Sequence, residues 1–422
     1  RNFMKVGFSK AIITPKLPVK LAGYAVERIA SGVLDDLYVR VLTFDQEGKR
    51  KAILSLELLA IDDLYLNKLK EYCKVEGLED VEIEAFAIHT HSGPVGTCDC
   101  TNGPLAGFES VLGSPNYEYI NTLCIQSIKA MKEAFQTQDE CILSISEGYI
   151  HGVGKNRHIE TGVGDESLLV MNFKRSDGQT CILYHFACHP TLLHEDSLLI
   201  SADIIGAINE KLEAMQVMPI FINGSCGDIS TRFTRVNSDL SELERYANIT
   251  KQAIIEANKK ITYSGKINSI TFDYHKFNLK LKENEKIEDT KAKMDQCSID
   301  VEMAKLKHIN NKELRLIESN YEGATIAYLH SLHPFVKDNW DIDVSFITIN
   351  DYKFITIPAE LFCGLSNPIK QLKKIYFFGY ANGYYDYIAD DDAYQNNYYE
   401  ATCSPFKQGE GEHLMELIKK AM

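Results

Sequence analysis

Two histidines, His89 and His91, are the first residues whose type and spacing suggest chemistry, because they close an apolar segment. Residues 81–88 carry apolar side chains at alternate positions and are wholly apolar from residue 85, which predicts a strand entering a core. Side chains two residues apart in an extended chain share a face, so both imidazoles are expected to point the same way before residues 92–94 turn the backbone. Two imidazoles amount to half of a zinc site, which needs three or four converging ligands. Alone, the pair suits two hydrogen-bonded residues at a strand end equally well.

Two further apolar segments end in residues that suit catalysis. Residues 181–188 lead into His189, and residues 218–222 open into a small-residue turn at 223–230 that contains Ser230. A tight turn at 350–351 separates two more apolar segments, and the second of them leads to Glu360. Strands that alternate with helices favour an α/β fold of mixed β-sheets packed with helices, with the catalytic residues at strand ends.

The remaining pattern predicts the elements that must hold these strand ends. Residues 38–45 and 51–58 predict a hairpin, and a helix is expected to begin at Ser114 with Pro115 in its first position. Further segments have a helical pattern, and the two charged ones in the middle predict packing helices without chemistry. These segments are 203–215, 236–262, 282–320 and 412–421. Because no repeat, low-complexity tract or flexible linker interrupts the chain, residues 1–422 are expected to form a single domain.

Composition and charge exclude several classes of partner. The 422 residues carry 45 basic and 59 acidic side chains, a net charge of −14, which argues against nucleic acid or an anionic membrane surface as the partner. No segment is apolar over the length that a transmembrane helix needs, and residues 1–7 lack the apolar region of a signal peptide, although a longer leader stays open. The 11 cysteines are scattered singly, which favours a reducing compartment, with cytoplasm as the expectation. Cys98 and Cys100 are interpreted as ordinary loop thiols, and the oligomeric state is not predicted.

The order of several short motifs along the chain resembles the neutral, non-lysosomal ceramidases. The resemblance covers nearly the whole chain, and this sequence is similar to a short member without the C-terminal immunoglobulin-like domain. It departs from the longer members after the catalytic serine, where Thr231-Arg232 stands in place of Pro-Asn. The matching motifs are Leu21-Ala22-Gly23-Tyr24, His89-Thr90-His91-Ser92-Gly93-Pro94, Asn156-Arg157, Ala187-Cys188-His189, Gly227-Asp228-Ile229-Ser230, Pro358-Ala359-Glu360, Asn382-Gly383-Tyr384-Tyr385-Asp386-Tyr387 and Tyr399-Glu400-Ala401.

The resemblance implies a single catalytic zinc ion at the strand ends and a role for each matched residue. The metal ligands that it implies are His89, His189, Glu360 and Tyr387. The catalytic residues that it implies are Ser230, His91, Arg157 and Tyr399. His91 then lies beside the metal and handles substrate or protons, whereas Arg157 and Tyr399 stabilise an oxyanion. Ser230 is the residue that the family treats as catalytic.

The activity implied is hydrolysis of the amide bond of an N-acylated substrate, either ceramide-like or another N-acyl amide. The nucleophile stays open, because zinc can activate water and Ser230 is a poor nucleophile unless a base lies beside it. An esterase using the same zinc site and an inactive, zinc-stabilised binding module are the alternatives. A metal phosphoesterase is disfavoured, since it needs a carboxylate-rich site for two metals.

Overall fold

The computed structural model describes residues 3–101 and 103–422. Its strands are β1 Lys5–Ile12, β2 Val19–Lys20, β3 Ile29–Ala30, β4 Gly32–Val33, β5 Tyr38–Gln46, β6 Lys49–Leu56, β7 Glu82–Ala87, β8 Asp139–Tyr149, β9 Lys155–Asn156, β10 Ser167–Arg175, β11 Thr180–Phe186, β12 Leu199–Ile200, β13 Met218–Asn223, β14 Ile229–Ser230, β15 Ile261–Lys266, β16 Ile270–Lys280, β17 Asn339–Ile349, β18 Tyr352–Thr356, β19 Glu360–Leu361, β20 Ile375–Phe378 and β21 Tyr387–Ile388. Its helices are α1 Asp63–Val75, α2 Glu109–Leu112, α3 Tyr117–Gln136, α4 Asp203–Glu213, α5 Leu240–Ala257, α6 Ile287–Leu306, α7 Asn311–Leu332, α8 Cys363–Lys370, α9 Asp391–Gln395, α10 Tyr399–Cys403 and α11 Glu410–Ala421, with a 3₁₀ turn at Gly103–Leu105.

A nine-stranded mixed sheet forms the centre of the fold, in the order β13-β11-β10-β8-β1-β5-β6-β7 with β15 also paired to β8. Alternate side chains of β5 enter two different cores: Val41 packs with the helices, whereas Leu42 packs with a second sheet. That second sheet has the order β16-β17-β18-β20, and α8 and α11 lie against it. The period of two along buried strands produces this layering, because each strand presents apolar side chains to both faces. The predicted α/β fold of mixed sheets packed with helices is confirmed.

The two edge strands of the central sheet, β7 and β13, are joined by the segment that follows β20. Within this segment, Gly379 N–H donates to the Asn223 carbonyl and Asn382 N–H donates to the Ala85 carbonyl, at 3.0 and 2.8 Å. The Asn223 side chain also donates to the carbonyl of Ile88 at 3.1 Å. The ends of strands that lie at opposite edges of the sheet therefore meet at one place.

Most of the predicted elements are present, with one correction. The hairpin β5–β6, the strand β7 and the turn between β17 and β18 agree with the sequence pattern. The helix expected to begin at Ser114 and Pro115 begins instead at Tyr117, because the Asn116 side chain accepts the Tyr119 N–H and caps it. The segment 236–262, expected to be mostly helical, contains α5, and only its last two residues belong to β15.

No helix in the described part of the chain is both long and apolar enough to cross a bilayer.

Candidate active site and metal centre

Two histidines and a glutamate converge at the junction of the strand ends. The Oε1 atom of Glu360 lies 2.9 Å from the Nε2 atoms of both His89 and His189. His91 completes a group of three imidazoles whose nearest nitrogens all lie within 4.8 Å of one another. Its Nε2 atom is 3.3 Å from that of His89. His89, His189 and Glu360 are buried and His91 is half-buried, so the group opens to its surroundings on the side of His91.

Backbone carbonyls orient the two buried imidazoles. His89 lies just after β7 with φ of 75°, and its Nδ1 atom is 2.9 Å from the Leu59 carbonyl. His189 lies just after β11, and its Nδ1 atom is 3.1 Å from the Ile229 carbonyl. Each ring therefore donates from Nδ1, which leaves the Nε2 lone pair directed at Glu360; this tautomer is assigned from the hydrogen bonds.

The donor set fits a divalent metal. Burial lowers the pKa of His189 to about 4, with Arg157 contributing, so this imidazole is neutral at pH 7. Two imidazole Nε2 atoms lie 2.9 Å from the same carboxylate oxygen, and this convergence of nitrogen and oxygen donors suits a single cation. Two neutral imidazoles held by carbonyls, with one carboxylate, are ordinary zinc ligands and outer-shell partners.

Glu360 and Tyr387 are brought side by side by a short parallel pairing. They are directly opposite each other in β19 and β21. The Tyr387 hydroxyl accepts a hydrogen bond from Arg157 Nη2 at 2.9 Å, and burial raises the phenol pKa well above its usual value, although Arg157 opposes this. The Tyr384 hydroxyl donates to Oε2 of Glu360, the oxygen that does not face the imidazoles. Tyr384 has no assigned role in the sequence prediction, yet it holds the carboxylate in place.

A buried ion pair positions Arg157 over the site. Its Nε atom donates to Glu400 Oε1 at 2.6 Å, and the guanidinium lies 5.8 Å from the ring centroid of Tyr399. His158 Nε2 contacts the second oxygen of Glu400 at 2.6 Å. Sequence reasoning quoted Glu400 as part of a motif but assigned it no function, because its partners lie more than two hundred residues away in the chain.

Ser230 ends the short strand β14, which pairs with β9 immediately before Arg157. Its hydroxyl accepts the backbone N–H of Arg232 at 3.2 Å. Across residues 3–101 and 103–422, no imidazole or carboxylate lies within hydrogen-bonding distance of this hydroxyl. The arrangement therefore supplies Ser230 with a donor but with no general base.

These residues surround one cavity of about 60 Å³. It is lined by six of the eight residues predicted for the site, namely His91, Arg157, His189, Ser230, Tyr387 and Tyr399. His89 and Glu360 lie beneath it, in contact with His189.

Sequence reasoning missed a second set of residues around the same cavity. They are Tyr24, His194, Arg232, Arg235, Arg315 and Glu322. Arg315 and Glu322 belong to α7 and line the cavity, so this helix, whose charged pattern predicts packing without chemistry, reaches the candidate site. The helical pattern of α7 contains no motif that distinguishes a residue facing a cavity from one facing solvent, so no signal in the sequence identifies Arg315 and Glu322.

Gly23 makes room for His91. Its φ is 108°, and a Cβ atom at this position would lie 2.4 Å from His91 Nδ1. Any other residue at this position would be strained by the positive φ and would clash with His91. Tyr24 follows directly, with its ring centroid 4.9 Å from that of His91. The glycine in the motif at 21–24 is the one sequence signal for this contact.

Comparisons with known proteins give a fold but no sequence match. No protein-family model and no curated protein match the chain. The chain is similar to the crystal structure of neutral ceramidase from Pseudomonas aeruginosa, with a TM-score of 0.76 and 15% identity, over 99% of this chain and 73% of that one. A structure described as ceramidase complexed with C2 gives a TM-score of 0.75 and 15% identity, over 99% of this chain and 74% of that one. The chain therefore has the fold of the neutral ceramidases, as the resemblance implies.

Proposed function

We propose that the protein is a zinc-dependent hydrolase that cleaves the amide bond of an N-acylated substrate, either ceramide-like or another N-acyl amide. The observation that carries the proposal is the convergence of His89, His189 and Glu360 at 2.9 Å beneath a cavity lined by Ser230 and Arg157. A metal centre with one open side suits catalysis, because catalytic zinc keeps a coordination position for water or substrate. The ceramidase fold supports the same reaction class.

The proposed ligands of one zinc ion are His89, His189, Glu360 and Tyr387. Bound there, zinc supplies a Lewis acid for the substrate carbonyl. Tyr387 enters the set because its pairing with Glu360 places it at the same strand end. Arg157 donates to the Tyr387 hydroxyl and so favours its ionised form.

His91 is proposed to act on the substrate rather than on the metal. Burial and the imidazoles of His89 and His189 hold the pKa of His91 well below its usual value, so its ring is neutral at pH 7 and keeps one nitrogen lone pair for a hydrogen bond from the substrate. Its Nδ1 atom has no hydrogen-bond partner in the described part of the chain. Because its nitrogens also belong to the group of three imidazoles, a structure with His91 bound to zinc would overturn this role.

The other residues stabilise charge and position the substrate. Arg157 and Tyr399 line the cavity and are proposed to donate to the oxyanion formed at the substrate carbonyl. The absence of a base beside Ser230 in the described residues favours water as the attacking group. Ser230 then binds the substrate through its hydroxyl. Trapping of an acyl-enzyme on Ser230 would reverse that assignment.

The test is a set of single substitutions with zinc content and hydrolysis measured separately. We expect His89→Ala and His189→Ala to lose both zinc and activity, and Ser230→Ala to keep zinc and lose activity. His413→Ala, an exposed histidine of α11, is the matched control and is expected to change neither. If His89→Ala still holds one stoichiometric zinc ion, the ligand assignment is wrong.

A substrate panel separates hydrolase from binding module. Zinc-loaded protein is assayed against N-acyl sphingosines, N-acyl amino acids and simple esters. Ser230, His91 and Tyr399 all line the cavity, which supports catalysis rather than a purely structural zinc site. Hydrolysis of esters alone would show that the protein is an esterase rather than an amidase. No hydrolysis of any of the three classes would favour the binding module.

We further propose a cytoplasmic location. All 11 cysteines are free thiols, and ten of them are buried. That state is stable in a reducing compartment.

A further inference from the structure

Arginines dominate one wall of the cavity. Arg157, Arg232, Arg235 and Arg315 all line it. Two of them are neutralised: Arg157 by Glu400, and Arg315 by Glu322, at 2.6 and 2.8 Å. Neither Arg232 nor Arg235 has a carboxylate within ion-pair distance among residues 3–101 and 103–422. The wall therefore carries two arginines that form no ion pair with the described residues.

The hydrogen bonds of these two guanidinium groups leave most of their donors free. Arg232 Nη1 donates to the Arg157 carbonyl at 2.8 Å, and Arg235 Nη1 reaches the Thr191 carbonyl at 3.5 Å. A guanidinium has five N–H donors in a planar fork. Half-buried donors that have no acceptor among the described residues are available to a ligand.

The pKa values of groups in this wall also indicate an excess of positive charge. Burial, together with Arg157 and Arg315, lowers the pKa of Arg232 to about 9. Burial and four arginines, led by Arg315 and Arg235, lower the pKa of His194 in the same wall to about 3. The whole chain has a net charge of −14, so a general excess of basic residues does not account for the cluster. A bound anion would relieve the repulsion between these groups.

The cavity is too small to receive a long acyl chain. Its volume is about 60 Å³, whereas pockets for drug-sized ligands measure roughly 300–1,000 Å³ and are mostly apolar. Its aliphatic lining is limited to Ala25, Val111 and Ile326, beside three tyrosine rings and four arginines. The space next to Ser230 therefore suits a compact anionic group, with the acyl chain directed out of the cavity.

Resting on the proposed function, we infer that the substrate is an N-acyl amino acid whose carboxylate is bound by Arg232 and Arg235, with Arg315 behind them. Arg232 is two residues from Ser230 and hydrogen-bonds the Arg157 carbonyl, so the anion lies close to the amide being cleaved. In an N-acyl α-amino acid the carboxylate is two bonds from the amide nitrogen, and guanidinium forks bind carboxylates in bidentate fashion. Thr231 and Arg232 are also where the sequence departs from the longer ceramidases.

The reaction is a simple hydrolysis. One water molecule adds to the amide carbonyl, the C–N bond breaks and a C–O bond forms. The leaving nitrogen takes a proton, so the products are a fatty acid and a free amino acid. No oxidant, reductant or second substrate is needed.

The first experiment compares an N-acylglycine with the corresponding neutral N-acylglycinamide, using zinc-loaded protein. Two charge-assisted hydrogen bonds of about 1.5–3 kcal/mol each predict a preference for the carboxylate of at least about 100-fold in kcat/KM. Arg232→Met and Arg235→Met are each expected to lower this ratio by about tenfold or more, chiefly through KM. Arg245→Met removes an arginine of α5 that pairs with Glu242 outside the cavity, and it should leave the ratio as in the wild type.

A binding measurement keeps the inference separate from the proposed function. Zinc-loaded Ser230→Ala protein is titrated calorimetrically with N-acylglycine and with its amide. Tighter binding of the carboxylate, lost in Arg232→Met, supports the inference even if no amide is hydrolysed. Hydrolysis with equal kcat/KM for both compounds would overturn the inference and leave the hydrolase standing. A preference for an N-acylethanolamine phosphate over N-acylglycine would show that the anion is a phosphate and that the carboxylate assignment is wrong.

Discussion

Replacing Glu400 by glutamine tests how the site holds Arg157. Glu400 is fully buried, and its two oxygens contact Arg157 Nε and His158 Nε2, each at 2.6 Å. Burial alone would raise the pKa of this carboxyl, but Arg157 and His158 hold it well below its usual value. The wild-type protein therefore keeps a charged carboxylate here throughout the neutral range.

The cost of Glu400→Gln follows from that geometry. The substitution keeps the shape but removes the counter-charge of a buried guanidinium, and breaking such a pair costs about 3–5 kcal/mol. One amide oxygen still accepts a hydrogen bond, so we expect a loss of about 3 kcal/mol in the free energy of unfolding. Arg157 also loses its orientation over Tyr387, and losing one oxyanion donor lowers kcat by about 100-fold to 1,000-fold.

Urea unfolding, zinc content and kcat are measured on the same preparations. Glu416→Gln is the control, because Glu416 forms an exposed ion pair with Lys419 that should contribute less than about 1 kcal/mol. Glu400→Gln should retain one zinc ion per chain while losing stability and kcat. If unfolding free energy and kcat both stay at wild-type values, Arg157 is not held in place by Glu400 and the reasoning fails.

Two further predictions concern the carboxylates of Glu360 and Glu57. Tyr384→Phe removes the hydroxyl that donates to Glu360, so zinc affinity should fall by about 10-fold to 100-fold in competition with a chelating dye; unchanged affinity would mean that Tyr384 only packs there. Burial raises the pKa of Glu57 to about 7, although Arg40 opposes this. The folded state therefore favours the protonated carboxyl, whose stabilising contribution is complete below about pH 4.5 and is lost as pH rises towards 7. Between about pH 4.5 and pH 7 the metal-free wild type should therefore lose about 3 kcal/mol of unfolding free energy relative to Glu57→Gln in urea titrations; parallel curves would show that Glu57 does not titrate there.

The predictable part of the structure is the part written in local patterns. Alternating apolar residues predict β7, and the turn residues that follow predict where this strand ends. His89 therefore lies at the end of β7, as the sequence pattern indicates. The ordered motifs also led to Glu360 and His189, which lie 2.9 Å apart in the structure, although their roles remain predictions. An alternating apolar segment is predictable because side chains two residues apart lie on the same face of a strand, and that face is buried.

The unpredicted part depends on which distant segments meet. Arg315 is about eighty residues from Arg232, and neither stands in a motif. They line one cavity because α7 packs beside α10, which carries Tyr399, and no local pattern encodes that contact. The predicted start of α3 was wrong for a smaller reason. Pro115 and Asn116 are both common at helix starts, and the hydrogen bond from the Tyr119 N–H to the Asn116 side chain makes Asn116 the cap.

The helices α6 and α7 interrupt a β-hairpin without disturbing it. β16 and β17 pair in unbroken register from Ile270 opposite Ile349 to Lys280 opposite Asn339, so the chain leaves and re-enters the sheet at neighbouring points. Residues 281–338 are therefore an insertion between two paired strands, and the sheet register does not depend on their length. Because this insertion delivers Arg315 to the cavity and contains no proposed metal ligand, changes within it are expected to alter substrate preference before they alter the metal centre.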